Sequence, residues 1–265
     1  MFSFLNVLLS ILTGAPKYGS QEWYKVTGRD PRWVAVDEWT MAQTHKQGSA
    51  PDNEVLTKAF KHQQDSGLPD ISVSPSQGKF IQIQAKIANA QHILEVGTLG
   101  GYSTIFLANA SPTTRVTTLE SVSHHVQVAQ ENLAMAGLGD RVEVIQGDAV
   151  EVLPTILDDV QQGRRDKFDF VFIDADKLNG WVYFDKAADM TRPGGCIIVD
   201  NVVRRGTIVN SKLVDTDKTV IEVRKLIEKA GADSRVDSVV LQMVGEKNYD
   251  GMLIAVVGRQ DTSSA

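Results

Sequence analysis

The sequence contains a single cysteine, Cys196, among its 265 residues. One cysteine cannot form a disulfide within the chain, and it belongs to no set of Cys and His residues with the spacing of a zinc site. It lies inside an apolar segment, where a buried small hydrophobic side chain is a better interpretation than a reactive thiol. These absences exclude a disulfide-stabilised fold and a Cys/His zinc centre.

Basic residues are also fewer than acidic ones. The chain has 27 Lys and Arg residues against 33 Asp and Glu residues, which gives a formal net charge of −6 and a pI near 5.4. The basic residues are scattered rather than clustered, so the sequence offers no surface for a phosphate backbone. We therefore expect no nucleic-acid partner.

Long hydrophobic runs are missing as well. Residues 2–12 are apolar, but this run is too short to span a bilayer and no positive residue precedes it, which argues against a signal peptide or an anchor. Asn109, a formal glycosylation acceptor, keeps secretion open as an alternative. We expect a helix that packs on the body or on a partner subunit, no membrane contact, and a cytoplasmic location.

Several catalytic signatures are absent. No histidine lies in a motif that suggests a catalytic triad, no Gly-x-Ser-x-Gly elbow occurs, and the glycines after Val96 do not have the Gly-x-Gly-x-x-Gly spacing of dinucleotide sites. The function of a nicotinamide-dependent oxidoreductase therefore stays only as an alternative. Tight binding of NADH would support it.

What the sequence does contain is an alternation of strands and helices from about residue 92 onward. The strand candidates are residues 93–96, 115–119, 142–145, 168–173, 196–199, 236–244 and 252–257. The loop between the last two is too short for a crossover helix, so these strands should form an antiparallel hairpin.

These elements predict an α/β fold. We expect a Rossmann-like, seven-stranded, mostly parallel sheet with an antiparallel last strand and helices on both faces. Residues 1–67 are predicted to form a helical N-terminal extension that contributes to a dimer or covers an acceptor site, and residues 68–265 to form the main domain.

Acidic residues mark the ends of the first three predicted strands. Glu95 precedes a turn that starts at Gly97, where glycine allows close backbone approach and the following helix start offers unpaired N–H groups. Glu120 ends the next strand, where an acidic side chain in a Rossmann-like sheet commonly holds ribose hydroxyls. Asp148 follows the third strand, within reach of an adenine. The pattern indicates a nucleoside-containing ligand, and Glu95 suits one with a cationic or amine group.

A second group of polar residues follows the fourth and fifth predicted strands. One strand ends at Asp174, and the other ends at Asp200 and Asn201. A crossover of one helix makes these strands parallel, so both end at the same edge of the sheet and these oxygens can meet. Carboxylate and amide oxygens suit Mg²⁺. Lys177 is a candidate proton acceptor, with a solvated loop lysine as the alternative.

With these motifs the chain resembles the class I S-adenosylmethionine-dependent O-methyltransferases, in particular the cation-dependent group that includes caffeoyl-coenzyme A and catechol O-methyltransferases. The resemblance spans about residues 68–258 and is carried by residues 95–103, 147–149, 173–177 with Asn179, and 199–201. Residues 72–80 look like the microbial branch of that family.

The resemblance implies roles for individual residues. Residues at the S-adenosylmethionine site would be Val73, Glu95, Gly97, Thr98, Ser103, Glu120, Asp148, Ala149, Asp174 and Asp176. Asp174, Asp200 and Asn201 would bind a divalent cation, with Mg²⁺ expected and Ca²⁺ or Mn²⁺ as alternatives. Lys177 would act as the base together with the metal ligand Asp174, while Asn179 and Trp181 would contact the acceptor. A homodimer is also implied. Ser76-Gln77 and Asn179-Gly180 depart from the plant members, which argues against a coenzyme A thioester substrate.

The predicted reaction is metal-dependent methyl transfer from S-adenosylmethionine to a hydroxyl of a catechol-type small molecule. A free phenol, with a pKa of about 10, is mostly protonated at neutral pH, and a metal bound to two adjacent hydroxyls would favour the phenolate. The alternative from another class is a non-catalytic partner protein that keeps the fold and binds S-adenosylmethionine or forms a dimer.

Overall fold

The computed structural model describes residues 30–258. The predicted apolar helix at residues 2–12 lies outside the described residues and stays a prediction, as does the cytoplasmic location. Between residues 30 and 258, no helix combines the length and apolar character that a membrane crossing needs.

The described part of the chain alternates helices and strands after three initial helices. In chain order the elements are α1 (Pro31–Thr44), α2 (Asn53–Asp65), α3 (Pro75–Ile87), β1 (His92–Val96), α4 (Tyr102–Ala108), β2 (Arg115–Glu120), α5 (Ser123–Met135), β3 (Val142–Gln146), α6 (Ala149–Gln161), β4 (Phe168–Ile173), α7 (Gly180–Met190), β5 (Thr191–Val199), a 3₁₀ helix (Arg204–Val209), α8 (Lys218–Ala232), β6 (Val236–Val244) and β7 (Tyr249–Val257).

The strands form one seven-stranded sheet in the order β3-β2-β1-β4-β5-β7-β6. β1 to β5 are parallel, and β7 runs antiparallel to both of its neighbours. This arrangement confirms the predicted fold class, including the final hairpin. β5 starts at Thr191 instead of residue 196, because Thr191 already pairs with Phe168 before a register irregularity. The intervening Pro193-Gly194-Gly195 resembles a turn in the sequence.

The strand order reverses between β1 and β4. From β1 the chain extends the sheet through β2 to β3 on one side, while β4 and β5 lie on the other. Ligands of open α/β sheets bind beyond the carboxyl ends of the strands at such a switch point. Val96 pairs with Ile173, so the residues that follow them leave the sheet side by side.

Two apolar clusters fix the strands from both faces of the sheet. In β4, Phe168, Val171 and Ile173 join one cluster, while Phe170 and Phe172 join the other. A strand buried on both faces cannot shift without exposing these side chains, which fixes where its carboxyl end lies.

Helices α1 and α2 lie in the predicted N-terminal extension and confirm that this region is helical where the structure describes it. α2 packs on the main body: its buried Leu56 and Ala59 share an apolar cluster with Ile105 and Phe106 of α4. The domain boundary at residue 68 stays a prediction.

Candidate active site

The turn after β1 and the turn after β4 approach each other very closely. Gly97 has φ of +101°, and a Cβ atom on it would lie 2.1 Å from the carbonyl oxygen of Asp174. Only glycine fits there without displacing backbone. The Asp174 N–H donates to the carbonyl of Val96 at 2.9 Å, so the two turns form one surface.

Above this surface lies a first cavity of about 520 Å³. A cavity of this size falls within the range of roughly 300–1,000 Å³ that is typical of small-molecule sites. Nine of the residues predicted for the cofactor line it: Val73, Gly97, Thr98, Ser103, Glu120, Asp148, Ala149, Asp174 and Asp176. The cavity therefore gathers residues that are spread over about a hundred positions of the sequence.

Glu95 does not line this cavity. Its carboxylate is fully buried and accepts hydrogen bonds from the hydroxyls of Ser103 at 2.6 Å, Thr104 at 2.5 Å and Thr118 at 2.6 Å. Burial raises the pKa of Glu95 to about 7, although the three hydroxyls act in the opposite direction. In this structure Glu95 ties β1 to the start of α4 and to β2, behind the cavity wall, and its predicted contact with the cofactor stays a prediction.

Glu120 is held at the rim of the first cavity by backbone donors. Its carboxylate accepts the N–H of Leu99 at 2.8 Å and the N–H of Val122 at 3.0 Å. His125, which also lines the cavity, has Nδ1 at 3.5 Å from the same carboxylate. A carboxylate fixed in this way keeps lone pairs for further donors, such as the two hydroxyls of a ribose.

Asp176 is held by the chain around it. One carboxylate oxygen accepts the N–H groups of Leu178 at 3.1 Å and Asn179 at 3.0 Å and the Asn179 amide at 3.1 Å. The other accepts the hydroxyl of Tyr183, a residue of α7 that also lines the first cavity. Burial and the neighbouring Asp176 raise the pKa of the Tyr183 phenol, so the phenol stays protonated and donates.

A second cavity of about 550 Å³ adjoins the first. Both are lined by Val73, Asp174 and Asn201, and the second is lined by Asp200 as well. A ligand in one cavity would therefore meet a ligand in the other at the carboxyl ends of β4 and β5.

The structure brings the three predicted metal ligands together at this junction. Asp200 is 2% exposed, and burial together with the charge of Asp174 raises the pKa of Asp200 to about 8, while the nearby Lys177 acts in the opposite direction. A buried carboxylate with a second carboxylate beside it forms a site that a cation would stabilise. The Asn201 residue has φ of +57°, which turns the chain back toward the cavity.

The donor set fits a hard cation such as Mg²⁺, Ca²⁺ or Mn²⁺, because it consists of oxygen atoms from two carboxylates and one amide. Across residues 30–258 there is no group of three or more His, Cys, Asp and Glu side chains that could hold a metal ion. A cation at the junction would therefore depend on the Asn201 amide and on solvent or acceptor oxygens to complete its coordination.

Lys177 lies at the same junction. Its Nζ donates to Asp174 Oδ1 at 3.0 Å, and its side chain is 12% exposed. This position differs from that of a solvated loop lysine, and Lys177 lines the first cavity.

The two predicted acceptor contacts lie elsewhere. Trp181 stacks on Phe184 with ring centroids 5.9 Å apart, and Nζ of Lys229 lies 4.9 Å above its ring. This side of α7 packs toward α8, and Trp181 lines neither cavity, so its contact with an acceptor stays a prediction that the structure does not support. Asn179 also lines neither cavity; it bonds to Asp176 and shapes the loop instead.

Sequence reasoning missed six charged residues that line the second cavity: Asp70, Arg204, Arg205, Asp217, Lys247 and Asp250. The two arginines follow Asp200 and Asn201 closely in the chain, and this spacing was a usable signal. Lys247 and Asp250 gave none, because they reach the cavity only through the antiparallel placement of β7 beside β5.

Comparisons with known proteins agree with this arrangement. A family model described as O-methyltransferase matches residues 46–256. O-methyltransferase imqG of Aspergillus flavus is 44% identical over 229 residues, which cover 86% of this chain and 92% of that protein. Catechol O-methyltransferase of Niastella koreensis is 42% identical over 207 residues, covering 78% of this chain and 91% of that protein. The crystal structure of the O-methyltransferase from Bacillus cereus in complex with SAH has a TM-score of 0.77 and 41% identity, covering 85% of this chain and 98% of that one.

Proposed function

The chain belongs to the O-methyltransferase family and is an S-adenosylmethionine-dependent enzyme, and we propose that it methylates one hydroxyl of a vicinal dihydroxy aromatic molecule with the help of a divalent cation. The observation that carries this proposal is the junction of the two cavities at Asp174 and Asn201, with Asp200 and Lys177 beside it. Relatives named catechol O-methyltransferase support the acceptor class.

The first cavity is the proposed donor site. Glu120 would accept the ribose hydroxyls, since its carboxylate is already oriented by two backbone N–H groups. Asp148 caps α6 through the N–H of Val150 at 2.9 Å and lies near the place of the adenine in this fold. The turn from Gly97 would allow the donor to approach the backbone. The sulfonium end would then lie toward Asp174.

The second cavity is the proposed acceptor site. Asp174, Asp200 and Asn201 would hold the divalent cation. When bound there, the cation would act as a Lewis acid that favours the phenolate form of the acceptor at neutral pH. The residues themselves orient the acceptor hydroxyls toward the donor, and such orientation can be worth several kcal/mol.

The chemical step exchanges one bond for another. The bond between sulfur and the methyl carbon breaks, the bond between the phenol oxygen and that carbon forms, and the phenol loses its proton. Lys177 would accept this proton at Nζ as the neutral amine, a form that a divalent cation held by the neighbouring Asp174 would favour over the charged one. No nucleophile from the protein is needed.

The test is methylation of catechol by the purified protein with S-adenosylmethionine, before and after treatment with EDTA. We expect activity to disappear with the chelator and to return when Mg²⁺, Ca²⁺ or Mn²⁺ is added back. Binding of Mn²⁺, followed by electron paramagnetic resonance, provides a second readout that does not need turnover. Activity that is indifferent to EDTA would remove the cation from the proposal while leaving methyl transfer in place.

Matched variants identify the ligands. Asp200→Asn keeps the size of the side chain but removes a charge, and it should weaken Mn²⁺ binding at least tenfold. Asp215→Asn removes the same charge from an exposed residue that lines neither cavity, and it should leave Mn²⁺ binding unchanged. Equal effects of the two substitutions would show that Asp200 is not a ligand.

We also propose that the protein forms a homodimer. Apolar side chains remain exposed on the outer strand β6, among them Val239 and Leu241, and on α3, where Ile87 is exposed. Light scattering coupled to size exclusion, with Leu241→Lys as the variant, tests this proposal: a dimer that becomes a monomer supports it, and a monomeric wild type contradicts it.

A further inference from the structure

We propose that the acceptor carries an anionic group, such as a carboxylate, and that Arg204 and Arg205 bind this group in the second cavity. The inference rests on the proposed function, because it assumes that the second cavity holds the acceptor. It goes further by naming a property of the acceptor that methyl transfer itself does not require.

The location of the arginines is the first step. Both line the same cavity of about 550 Å³ as Asp174, Asp200 and Asn201. An aromatic diol placed with its hydroxyls at this junction would fill only part of such a volume. The rest of the lining contains three cationic residues, Arg204, Arg205 and Lys247, and three carboxylates, those of Asp70, Asp217 and Asp250. Binding of a ring substituent by the arginines would therefore depend on which of these charged groups are already engaged.

The second step concerns the partners of the charged groups around the cavity. Asp70 pairs with Lys247 at 2.9 Å, and the Asp217 carboxylate accepts the N–H of Thr219 at 2.9 Å and that of Val220 at 3.1 Å at the start of α8. Asp174 pairs with Lys177 at 3.0 Å.

The arginines differ from these residues. Within residues 30–258, neither guanidinium group has a hydrogen bond or an ion pair, although the backbone N–H of Arg204 donates to Asp250 at 2.8 Å. The cavity therefore has carboxylates that are already engaged and two cationic groups that are not. An anion from the acceptor would complement them.

The third step concerns how the arginines are placed. Arg204 has φ of +56° and Arg205 has φ of +55°, two consecutive side chains in the left-handed region before Gly206. Each such residue costs on the order of 1 kcal/mol, so the surrounding structure must impose this conformation. The buried carboxylate of Asp250 does so, because it accepts the N–H groups of Val203 at 3.0 Å and Arg204 at 2.8 Å.

The chemistry of the side chains selects the ligand class. A guanidinium presents N–H donors in a planar fork that matches the two oxygens of a carboxylate or of a phosphate. A charged hydrogen bond of this kind contributes about 1.5–3 kcal/mol, which corresponds to a preference of roughly 10- to 100-fold over a neutral group.

The experiment compares two acceptors of nearly equal shape: 3,4-dihydroxybenzoate and its neutral carboxamide, 3,4-dihydroxybenzamide. For the wild-type enzyme loaded with S-adenosylmethionine and Mg²⁺, we expect kcat/KM for the acid to exceed that for the amide by about tenfold or more. The difference should lie in KM, because the arginines would bind the acceptor away from the reacting oxygen. A third acceptor, 3,4-dihydroxyphenylphosphonate, distinguishes a carboxylate site from a phosphate-type site. The site prefers the anion that has the higher kcat/KM.

Variants assign the preference to the arginines. Arg204→Gln and Arg205→Gln should each lower the ratio of acid to amide at least threefold, and the double variant should bring it close to one. Lys212→Gln removes a positive charge from the same segment at an exposed position outside the cavity, and it should keep the wild-type ratio. Thermal unfolding and a circular dichroism spectrum establish that each variant is folded.

The outcomes separate this inference from the proposed function. Methylation of both acceptors at equal kcat/KM by the wild type would overturn the anionic site and leave the O-methyltransferase activity on catechols intact. If the enzyme methylates none of the acid, the amide and catechol, the proposed acceptor class is overturned, and this inference with it. A preference for the acid that persists in the double variant would show that other residues cause it and would also overturn the assignment.

Discussion

Replacing Glu95 with glutamine tests whether the ionised carboxylate behind the cavity destabilises the folded protein at neutral pH. Glu95 is fully buried, and its three hydrogen-bond donors are hydroxyls rather than cations. Burial raises its pKa from 4.5 to about 7 in the folded protein. In the unfolded chain the carboxyl is hydrated and keeps its ordinary pKa.

The magnitude follows from linkage between protonation and folding. Since each tenfold change in acidity is worth about 1.4 kcal/mol, a rise of the pKa from 4.5 to about 7 corresponds to about 3 kcal/mol. A raised carboxyl pKa means that the folded state binds the proton more tightly than the unfolded state does. The stabilisation is therefore fully present below pH 4.5 and is lost as the pH rises to about 7. Between pH 5 and pH 8, about 2 kcal/mol of stability should disappear through this group alone.

The assay is urea denaturation of the wild type and of Glu95→Gln at pH 5 and at pH 8. Glutamine cannot ionise, so the variant should lose about 2 kcal/mol less stability than the wild type over this interval. Its stability at a single pH is less informative, because an amide cannot accept all three hydroxyls as the carboxylate does. Other titrating groups contribute equally to both proteins and cancel in the difference.

Glu151→Gln is the matched control for this measurement. Glu151 is an exposed glutamate in the first turn of α6, and its replacement should leave the pH dependence of the wild type unchanged. The reasoning would be refuted if the stability difference between Glu95→Gln and the wild type were the same at both pH values.

Three further substitutions test the geometry of the site. Gly97→Ala should destabilise the protein by about 3 kcal/mol in urea denaturation, because its Cβ would lie 2.1 Å from the Asp174 carbonyl oxygen; a stable variant would contradict that close approach. Tyr183→Phe should raise KM for S-adenosylmethionine severalfold while kcat changes little, since the phenol orients Asp176 and does not reach the reacting atoms; an unchanged KM would remove this role. Lys177→Met should lower kcat about 100-fold or more with bound donor unaffected, as measured by initial rates and by calorimetry; a kcat near wild type would exclude Lys177 as the proton acceptor.

The sequence was sufficient to predict the sheet and the edge at which the site lies. Strand composition, crossover length and the handedness of crossovers place the ends of β1 to β5 at one edge without further information. Residues that immediately follow these strands, such as Gly97, Asp174 and Asp200, were therefore predictable, because their positions depend on local chain geometry.

The sequence does not predict which residues line the cavities where side-chain direction decides it. Glu95 is the fourth residue of β1, and its carboxylate accepts hydroxyls from α4 and from β2 instead of lining the first cavity. Trp181 lies in the second position of α7, and the rotation of that helix brings it against α8. Neither direction follows from the motif alone, because each depends on the packing of an element that is distant in sequence.

The two arginines would give the second cavity a second point of attachment for the acceptor, apart from the proposed cation site. Asp174, Asp200 and Asn201 lie at one place in the second cavity, and a cation there would attract both hydroxyls of a diol without distinguishing one from the other. A second contact removes this symmetry, since a substituent held by Arg204 and Arg205 fixes which hydroxyl lies nearer the first cavity. The backbone conformation of the arginines serves this purpose only if it is rigid, and the carboxylate of Asp250 supplies that rigidity from the neighbouring strand. If the arginines bind the acceptor as proposed, the antiparallel placement of β7 beside β5, which positions Asp250, would contribute to the selection of the acceptor as well as to the stability of the sheet.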